Sequence, residues 1–177
     1  MQPKKILDLG CGNGALTHAL LQDGYNIMGC DADLEGIEIA KKRGGNFIVK
    51  SVYDDPSSLG NDFHTVISAE VIEHLYSPKS LPQFAHTVLQ DFGYLVITTP
   101  YHGYLKNLAL SLADKWDFHH TPLWEGGHIK FWSKNTLFQL LRETGFTVKE
   151  FHGVGRVPYL WKSMIVVARK TPGDRSR

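Results

Sequence analysis

Short apolar runs alternate along the chain with longer stretches whose apolar residues recur every three or four positions. The short runs have the length and the turn-forming boundaries of buried strands, whereas the longer stretches have the spacing of helices that bury one face. Seven strands are predicted, at residues 5–9, 26–30, 46–50, 64–68, 94–98, 147–152 and 163–168. The alternation predicts an α/β fold with a mostly parallel sheet.

Four amphipathic helices are predicted to cover this sheet. Their apolar positions form four stripes: Leu16, Ala19 and Leu20; Leu34, Ile37 and Ala40; Leu81, Phe84, Ala85, Val88 and Leu89; and Leu137, Leu140 and Leu141. Gly24, Gly44 and Gly145 follow three of these stripes and predict where the helices end, since glycine adopts the left-handed cap conformation. Ser133 is predicted to cap the start of the last helix.

Residues 100–132 interrupt the alternation, because they form a connection far longer than is usual between a strand and a helix of such a sheet. The segment is rich in aromatic and histidine side chains: Tyr101, Tyr104, Trp116, Phe118, Trp124, Phe131, Trp132, His102, His119, His120 and His128. Within it, an amphipathic helix is predicted from Leu105, Leu108, Ala109 and Leu112. We expect the segment to form a lid and a substrate wall, with plain core packing as the alternative.

Length and composition predict one domain over residues 1–170 and a disordered tail at 171–177. The chain has 177 residues, of which 42% are hydrophobic, enough for one core and too few for two ordinary domains. The tail contains proline, glycine and charged residues and lacks the apolar periodicity of the preceding segments.

Charge and cysteine content narrow the partners and the compartment. Nineteen basic and 18 acidic side chains leave a formal charge of +1, so no broad positive field favours a nucleic-acid partner. No apolar run approaches the ~20 residues of a membrane span, and no signal peptide is predicted. Cys11 and Cys30 are too few for a disulfide framework, so a cytoplasmic protein is expected. The oligomeric state is left open.

A glycine-rich turn, Gly10-Cys11-Gly12-Asn13-Gly14, directly follows the first predicted strand and precedes a helix. Glycine lets the backbone turn sharply and bring its N–H groups close to a ligand, and this end of a parallel sheet is where nucleotides bind. With Ala15 the turn also satisfies the looser dinucleotide pattern, and Asp31 lies near the spacing expected of a ribose-binding acid. The turn alone therefore leaves NAD open as the cofactor.

Residues 7–14 are similar to motif I of class I S-adenosylmethionine-dependent methyltransferases. In that motif an acid two residues before the first glycine fixes the loop and the methionine end of the cofactor, and Asp8 occupies its place. Residues 29–31 resemble motif II, whose acid, here Asp31, accepts both ribose hydroxyls. Residues 49–54 resemble the segment that flanks adenine, but they lack its commoner Gly-Asp ending, so Tyr53 or Asp54 would meet the adenine amino group.

The resemblance implies S-adenosylmethionine as cofactor, with binding residues Asp8, Gly10, Cys11, Gly12, Asn13, Gly14, Asp31, Ala32, Ser51, Val52, Tyr53 and Glu70. It spans nearly the whole chain, through residues 95–100 and 127–133, and is nearest to the broad branch that contains the ubiquinone-biosynthesis O-methyltransferases. That branch implies a Rossmann-like, doubly wound sheet of seven strands with the last strand antiparallel. It is specific for the cofactor and loose about the acceptor.

The segment after the fourth predicted strand offers catalytic groups. If it is helical, Glu70, Glu73 and His74 lie on one side, beside the cofactor. A hydroxyl acceptor must lose its proton, and the ordinary pKa of histidine suits His74 to that role, with Glu73 orienting it and His128 joining from the long connection. The alternative is that His74 is a hydrogen-bonded structural residue.

A metal is the second interpretation of the same residues. Glu70, Glu73, His74 and His128 together could hold a divalent cation, an arrangement that resembles the small-RNA terminal 2′-O-methyltransferases. The same short Glu-His signature is found in metal-free methyltransferases of small molecules, and the neutral chain does not favour RNA. We therefore expect no metal.

Three functions follow from these observations. The first is S-adenosylmethionine-dependent methyl transfer to a hydroxyl of a small molecule, favoured by the aromatic connection and the small net charge. The second is metal-dependent 2′-O-methylation of RNA. The third is a non-catalytic protein that binds the cofactor and regulates a partner.

Overall fold

The computed structural model describes residues 4–172 of the chain. It confirms the predicted α/β fold, with one sheet of seven strands. The strands are β1 (Lys5–Leu9), β2 (Asn26–Asp31), β3 (Asn46–Val49), β4 (Phe63–Ala69), β5 (Leu89–Pro100), β6 (Phe146–Val154) and β7 (Ser163–Lys170).

The strand order is β3-β2-β1-β4-β5-β7-β6. Neighbouring strands from β3 to β5 are parallel, and β7 is antiparallel to both β5 and β6. The last strand is therefore the antiparallel one, as predicted. Because the order reverses beside β1, the carboxyl ends of β1, β2 and β4 border one crevice, which is where open sheets of this kind bind ligands.

Six α-helices accompany the sheet within residues 4–172: α1 (Ala15–Gln22), α2 (Leu34–Arg43), α3 (Ser80–Val88), α4 (Tyr104–Leu112), α5 (Trp116–His120) and α6 (Lys134–Glu143). Asp33 caps α2 by accepting from the backbone N–H groups of Glu35 and Gly36. Ser133 forms a capping box with Thr136 at the start of α6, as predicted for this position.

Most residues of the predicted apolar stripes are buried on three of the helices. At four positions the prediction is wrong, because three of the residues are exposed and the fourth belongs to a strand. Ile37 and Ala40 are buried on α2, as are Leu81, Phe84, Ala85 and Val88 on α3 and Leu137, Leu140 and Leu141 on α6. Leu34 is 60% exposed and Leu16 is 38% exposed. Ala19 is exposed too, and Leu89 begins β5 because the chain passes from α3 into the strand without a loop.

A polar residue explains the misplaced face of α1. Its buried residue is Thr17, whose hydroxyl donates to Asp8 at 2.6 Å. This hydrogen bond turns Thr17 toward the sheet, so Leu16 and Ala19 lie on the outer side. Apolar spacing alone does not predict such an orientation, because the contact with the sheet is polar.

The long connection folds into α4, α5 and an irregular segment that returns to α6. The predicted helix over Leu105 to Leu112 exists as α4, but the leucines that predicted it do not form its buried face. Leu105, Leu108 and Leu112 are 50%, 40% and 81% exposed, whereas Lys106 is only 2% exposed. Lys106 is buried because its ammonium donates to the carbonyl oxygen of Tyr101 at 2.6 Å, which brings the opposite face of α4 against the protein.

The chain ends differ in how far they are described. Thr171, in the segment predicted to be disordered, donates its N–H to the carbonyl of Gly145. Residues 173–177 of that predicted tail, like residues 1–3, lie outside the described residues. Among residues 4–172, no helix has the length and apolar character required to cross a bilayer.

Candidate active site

A cavity of about 390 Å³ opens at the carboxyl ends of β1, β2 and β4. Its size lies within the range of roughly 300–1,000 Å³ that is usual for small-molecule sites. Its walls include many residues predicted to hold the cofactor, namely Gly10, Gly12, Asp31, Ala32, Ser51, Val52, Tyr53 and Glu70. His74, predicted to be catalytic, lines the same cavity together with Val71 and Leu75.

The glycine turn adopts a backbone that favours glycine at each of its three glycine positions. Gly10, Gly12 and Gly14 have φ values of +84°, +51° and +73°. A Cβ atom on Gly10 would lie 2.4 Å from Cγ2 of Val71, so this position also excludes a side chain sterically. The N–H groups of Gly10 and Cys11 donate to the carbonyl of Cys30, which fastens the turn to the end of β2.

Four of the predicted cofactor residues are not among those lining the cavity. Asp8 is buried beneath the turn, and this burial raises its pKa to about 6 although Thr17 donates to it. Gly14 begins α1. Cys11 packs on the cluster around Phe47, and Asn13 is exposed. Their direct contact with a cofactor stays a prediction.

Asp31 links the glycine turn to the start of α2 through two hydrogen bonds. Its Oδ2 accepts from the N–H of Gly12 at 2.7 Å, and its Oδ1 accepts from the N–H of Asp33 at 2.9 Å. An ionised carboxylate offers about four acceptor positions, so each oxygen keeps capacity for a further donor. The carboxylate is partly exposed at the cavity wall, where such a donor can reach it.

The loop after β3 is held by hydrogen bonds of its own. The N–H of Ser51 donates to Asp54 at 2.8 Å, and the N–H of Tyr53 donates to the hydroxyl of Ser51 at 3.2 Å. The phenol oxygen of Tyr53 accepts from the N–H of Ser77 at 3.3 Å, which brings its ring along the cavity. Of the two alternatives left by the sequence, Tyr53 lines the cavity and Asp54 closes the loop.

The turn after β4 differs from the predicted helix. Glu70 has a left-handed φ of +55°, and only a short 3₁₀ turn follows, at Ile72–His74. Thr98 at the end of β5 secures Glu70 by donating its hydroxyl to Oε1 at 2.8 Å. Because the left-handed residue redirects the chain, Glu70 and His74 line the cavity while Glu73 points into the protein.

Glu73 is fully buried beneath the cavity. Its Oε2 accepts from the hydroxyl of Thr99 at 2.9 Å, whereas its Oε1 is buried and has no hydrogen-bond partner among residues 4–172. Burial raises its pKa to about 7, and the nearby charge of Glu70 contributes in the same direction. A carboxyl group in this position retains its proton to near-neutral pH.

His74 is oriented by the long connection. Its Nδ1 lies 3.3 Å from the carbonyl oxygen of Gly127. Since a carbonyl only accepts, the proton of the neutral ring is on Nδ1, and Nε2 is left as an acceptor. The ring centroid of His128 is 4.9 Å away and that of Trp124 is 6.5 Å away. These rings form an aromatic wall beside the cavity.

The predicted metal candidates come together only in part. Glu73, His74 and His128 have potential ligand atoms within 4.8 Å of one another. Glu70, the fourth candidate, is not in that group, and its Oε1 is bonded to Thr98. Burial lowers the pKa of His128, and the neighbouring His74 adds to that effect, so the ring is neutral at neutral pH.

Thr17, Thr98 and Thr99 support the site and were not predicted as functional residues. Their hydroxyls donate to the carboxyl groups of Asp8, Glu70 and Glu73 respectively. A signal for two of them exists in the sequence, because Thr98 and Thr99 are consecutive hydroxyl residues that directly follow the apolar run Leu95–Ile97 of β5. Adjacent residues of a strand point to opposite faces, so one reaches Glu70 and the other reaches Glu73.

Comparison with known proteins decides which cofactor the glycine turn serves. Residues 1–150 match the family described as methyltransferase domain. The chain belongs to this methyltransferase family. It is an S-adenosylmethionine-dependent methyltransferase, which confirms the predicted cofactor and sets aside both NAD and a purely regulatory protein.

The relatives and structural neighbours agree with this assignment. The chain is 26% identical, over 166 residues, to the ubiquinone biosynthesis O-methyltransferase of Hydrogenovibrio crunogenus, covering 90% of this chain and 69% of that protein. A methyltransferase from Methanosarcina mazei has the same fold, with a TM-score of 0.74, 20% identity and coverage of 97% of this chain and 94% of the other.

A second similar structure was solved with S-adenosylhomocysteine bound. Magnesium protoporphyrin IX methyltransferase from Synechocystis, with bound S-adenosylhomocysteine, superimposes with a TM-score of 0.70 and 18% identity, covering 96% of this chain and 75% of that one. The chain spans about two thirds of the length of the ubiquinone relatives that it matches.

Proposed function

We propose that the protein methylates a hydroxyl oxygen of a small, largely apolar acceptor, and that His74 is the general base. The observation that carries this proposal is the contact of His74 Nδ1 with the Gly127 carbonyl, because it leaves Nε2 as an acceptor on a residue of the cavity wall. A base must lie within hydrogen-bond reach of the proton that it removes, and only an unprotonated nitrogen can take it.

The cofactor occupies the cavity in this proposal. Asp31 accepts the ribose hydroxyls with the acceptor capacity left by Gly12 and Asp33, and Tyr53 lies along the adenine. Asp8 stabilises the turn from beneath, and the cationic methionine end of the cofactor favours its ionised form, which burial alone disfavours. Glu70, fixed by Thr98, contributes the wall nearest to His74.

The acceptor lies between the cofactor and the wall formed by His74, Trp124 and His128. Its oxygen attacks the methyl carbon of the sulfonium, the carbon–sulfur bond breaks with its electron pair going to sulfur, and S-adenosylhomocysteine leaves. The hydroxyl proton moves to Nε2 of His74. The protein has only to align the three reacting atoms and exclude water, because the sulfonium is already a reactive methyl donor.

The long connection between β5 and α6 acts as the lid of this proposed site. Its residues 127–130 are attached directly to the catalytic turn, since Gly127 accepts from His74 and the N–H groups of Ile129 and Lys130 donate to the carbonyl of Glu73 at 2.9 Å. The unpaired Cys11 and Cys30 fit the reducing cytoplasm that we propose as the compartment.

Matched acceptors test this function. Phenols, sugars and hydroxy acids are incubated with the protein and radiolabelled S-adenosylmethionine, each beside the same molecule with its hydroxyl already methylated. We expect label only in acceptors with a free hydroxyl. Transfer to blocked acceptors, or no transfer to any acceptor while S-adenosylhomocysteine still raises the melting temperature, would contradict the proposal.

A metal-assisted reaction on an RNA hydroxyl is the second candidate, and the group of Glu73, His74 and His128 favours it. A cation there would lower the pKa of the acceptor hydroxyl. Chelator separates the two mechanisms: in our leading proposal the rate is unchanged by EDTA, whereas a metal-assisted enzyme loses activity and recovers it with manganese. The formal charge of +1 gives no support to an RNA partner.

A further inference from the structure

A second histidine cluster lies in the long connection and has no role in the proposed methyl transfer. His102 lies two residues after the end of β5, and His119 and His120 end α5. The ring centroid of His102 is 5.7 Å from that of His119 and 5.5 Å from that of His120, and the last two are 4.9 Å apart. One potential ligand nitrogen from each ring lies within 4.8 Å of the others.

The cluster contains a buried nitrogen that the protein does not satisfy. Nε2 of His120 is inaccessible to solvent and has no hydrogen-bond partner among the described residues. Leaving such a group unpaired costs about 1–3 kcal/mol, so an unpartnered buried nitrogen calls for an explanation. His102 is also buried, at 7% exposure. A ligand that accepts electron pairs from the rings would satisfy the nitrogen.

The charge state of the cluster suits a metal ion. Burial lowers the pKa of His102 to about 3 and that of His119 to about 4, with the charge of Lys106 contributing to both, so the rings are neutral and have free lone pairs. The ammonium of Lys106 opposes a cation nearby, but it donates to the carbonyl of Tyr101 at 2.6 Å, and burial lowers its own pKa to about 8.

We propose that His102, His119 and His120 bind a divalent transition-metal ion, Zn²⁺ by the chemistry of the ligands, and that this ion fastens α5 to the end of β5. Three imidazoles without a carboxylate favour zinc, copper or nickel over magnesium or calcium. With bonds of about 2.1 Å, tetrahedral ligand nitrogens lie about 3.4 Å apart, so the rings rotate inward slightly on binding.

The site is separate from the group at the cofactor cavity. It uses none of Glu73, His74 and His128, and its ion stabilises the lid instead of activating the acceptor. Three protein ligands leave one coordination position for water. Because α5 has only five residues and little buried surface of its own, a bond between it and β5 would order a large part of the connection.

Cobalt reports such a site without any assay of methyl transfer. The protein, freed of metal by chelator, is titrated with Co²⁺, and we expect the visible ligand-field bands of a tetrahedral ion with one Co²⁺ per chain, abolished by Zn²⁺. The bands are expected to be lost in a His119→Gln, His120→Gln double variant. The bands should remain in a His74→Gln, His128→Gln double variant. They should also remain in a His152→Gln variant, since His152 is an exposed residue of β6. Stabilisation by S-adenosylhomocysteine verifies that each variant is folded.

A measurement on the unaltered protein covers the case in which the double variant does not fold. Zn²⁺ is expected to protect His102, His119 and His120 from acylation by diethyl pyrocarbonate, mapped by mass spectrometry, and to leave His152 reactive. The proposal would be overturned if the cobalt bands or the protection by Zn²⁺ were absent. It would also be overturned if the bands survived in the His119→Gln, His120→Gln variant and vanished in the His74→Gln, His128→Gln variant.

Discussion

The hydroxyl of Thr99 donates to Oε2 of Glu73 at 2.9 Å, while the other oxygen of the same carboxyl group is buried without a hydrogen-bond partner in the described part of the chain. Burial of this carboxyl group outweighs the hydrogen bonds that favour its ionised form, so it holds its proton to near-neutral pH. The Glu73 carboxyl is therefore an acid whose pKa, about 7, makes the stability of the fold depend on pH.

Replacing Glu73 by Gln is expected to remove part of that pH dependence. In the unfolded chain Glu73 ionises near its ordinary pKa of 4.5, whereas in the folded chain it stays protonated until about 7. The folded state thus binds more protons in this window, and stability falls as pH rises from about 5 to about 8, by at most about 3 kcal/mol. Gln cannot ionise, so Glu73→Gln loses this decrease.

Urea unfolding at both ends of that pH range measures the effect. Asp8, whose pKa is raised to about 6, contributes to the pH dependence of both proteins and cancels in their difference. If the variant and the unaltered protein lost the same stability between the two pH values, Glu73 would be ionised in the folded protein, contrary to this expectation.

Replacing His74 by Gln is expected to lower kcat by about 10²- to 10⁴-fold, the usual contribution of a general base. The binding of S-adenosylhomocysteine should change far less. A base matters most when the acceptor holds its proton tightly, so acceptors with more acidic hydroxyls should lose less activity. Rates for a series of substituted phenols measure this trend.

His152→Gln is the matched control for this substitution, because His152 is exposed on β6, where it contacts Glu150 and lies outside the cavity. It should leave the rates unchanged. If His74→Gln slowed acidic and ordinary phenols by the same factor, His74 would position the acceptor without taking its proton.

The strands of the fold were predictable, and the direction in which particular side chains point was not. Core strands of a parallel sheet are continuous apolar runs, so their approximate positions follow from where such runs occur in the sequence. The exposed face of α1 depends on Thr17 bonding Asp8, a polar contact that apolar periodicity does not contain. Likewise, no spacing rule reveals that Glu70 has a left-handed backbone conformation. This conformation directs the side chain of Glu70 to the cavity and that of Glu73 into the protein.

The contacts that come from the long connection were the least predictable part of the site. Gly127 lies far from His74 in sequence, and its residue type does not mark it as a partner of that ring. The sequence indicated that His74 and His128 share a site, and the rings do lie 4.9 Å apart. The carbonyl that sets the tautomer of His74 belongs to the backbone, which every residue has, so the residue types do not predict it.

Replacing Asp31 by Asn is expected to weaken S-adenosylhomocysteine binding by about 10- to 100-fold, since hydrogen bonds to a charged group contribute about 1.5–3 kcal/mol. The amide also presents two donors where the ribose hydroxyls and the N–H of Gly12 need acceptors. Calorimetry measures the change. Asp33→Asn is the control, because Asn caps a helix as well as Asp does and α2 should remain intact. Equal losses in both variants would point to the loop instead of the ribose contact.

Alanine substitutions at Gly12 and Gly24 allow backbone strain at a positive φ to be separated from steric hindrance of cofactor binding. Both have positive φ, +51° and +84°, and a Cβ atom on either would meet no heavy atom within 4 Å. Replacement by Ala should therefore cost each variant a similar amount, about 1–2 kcal/mol of backbone strain.

Of these two glycines, Gly12 lines the cavity and Gly24 does not, so the two variants should differ in cofactor binding. In the proposed site the methyl group of Gly12→Ala projects where the cofactor would approach the turn, whereas Gly24 lies just beyond the last residue of α1. We expect Gly12→Ala to bind S-adenosylhomocysteine much more weakly than Gly24→Ala at equal stability, as judged by calorimetry and urea unfolding. Equal binding by the two variants would show that the cofactor does not approach the turn at Gly12 closely enough to exclude a methyl group.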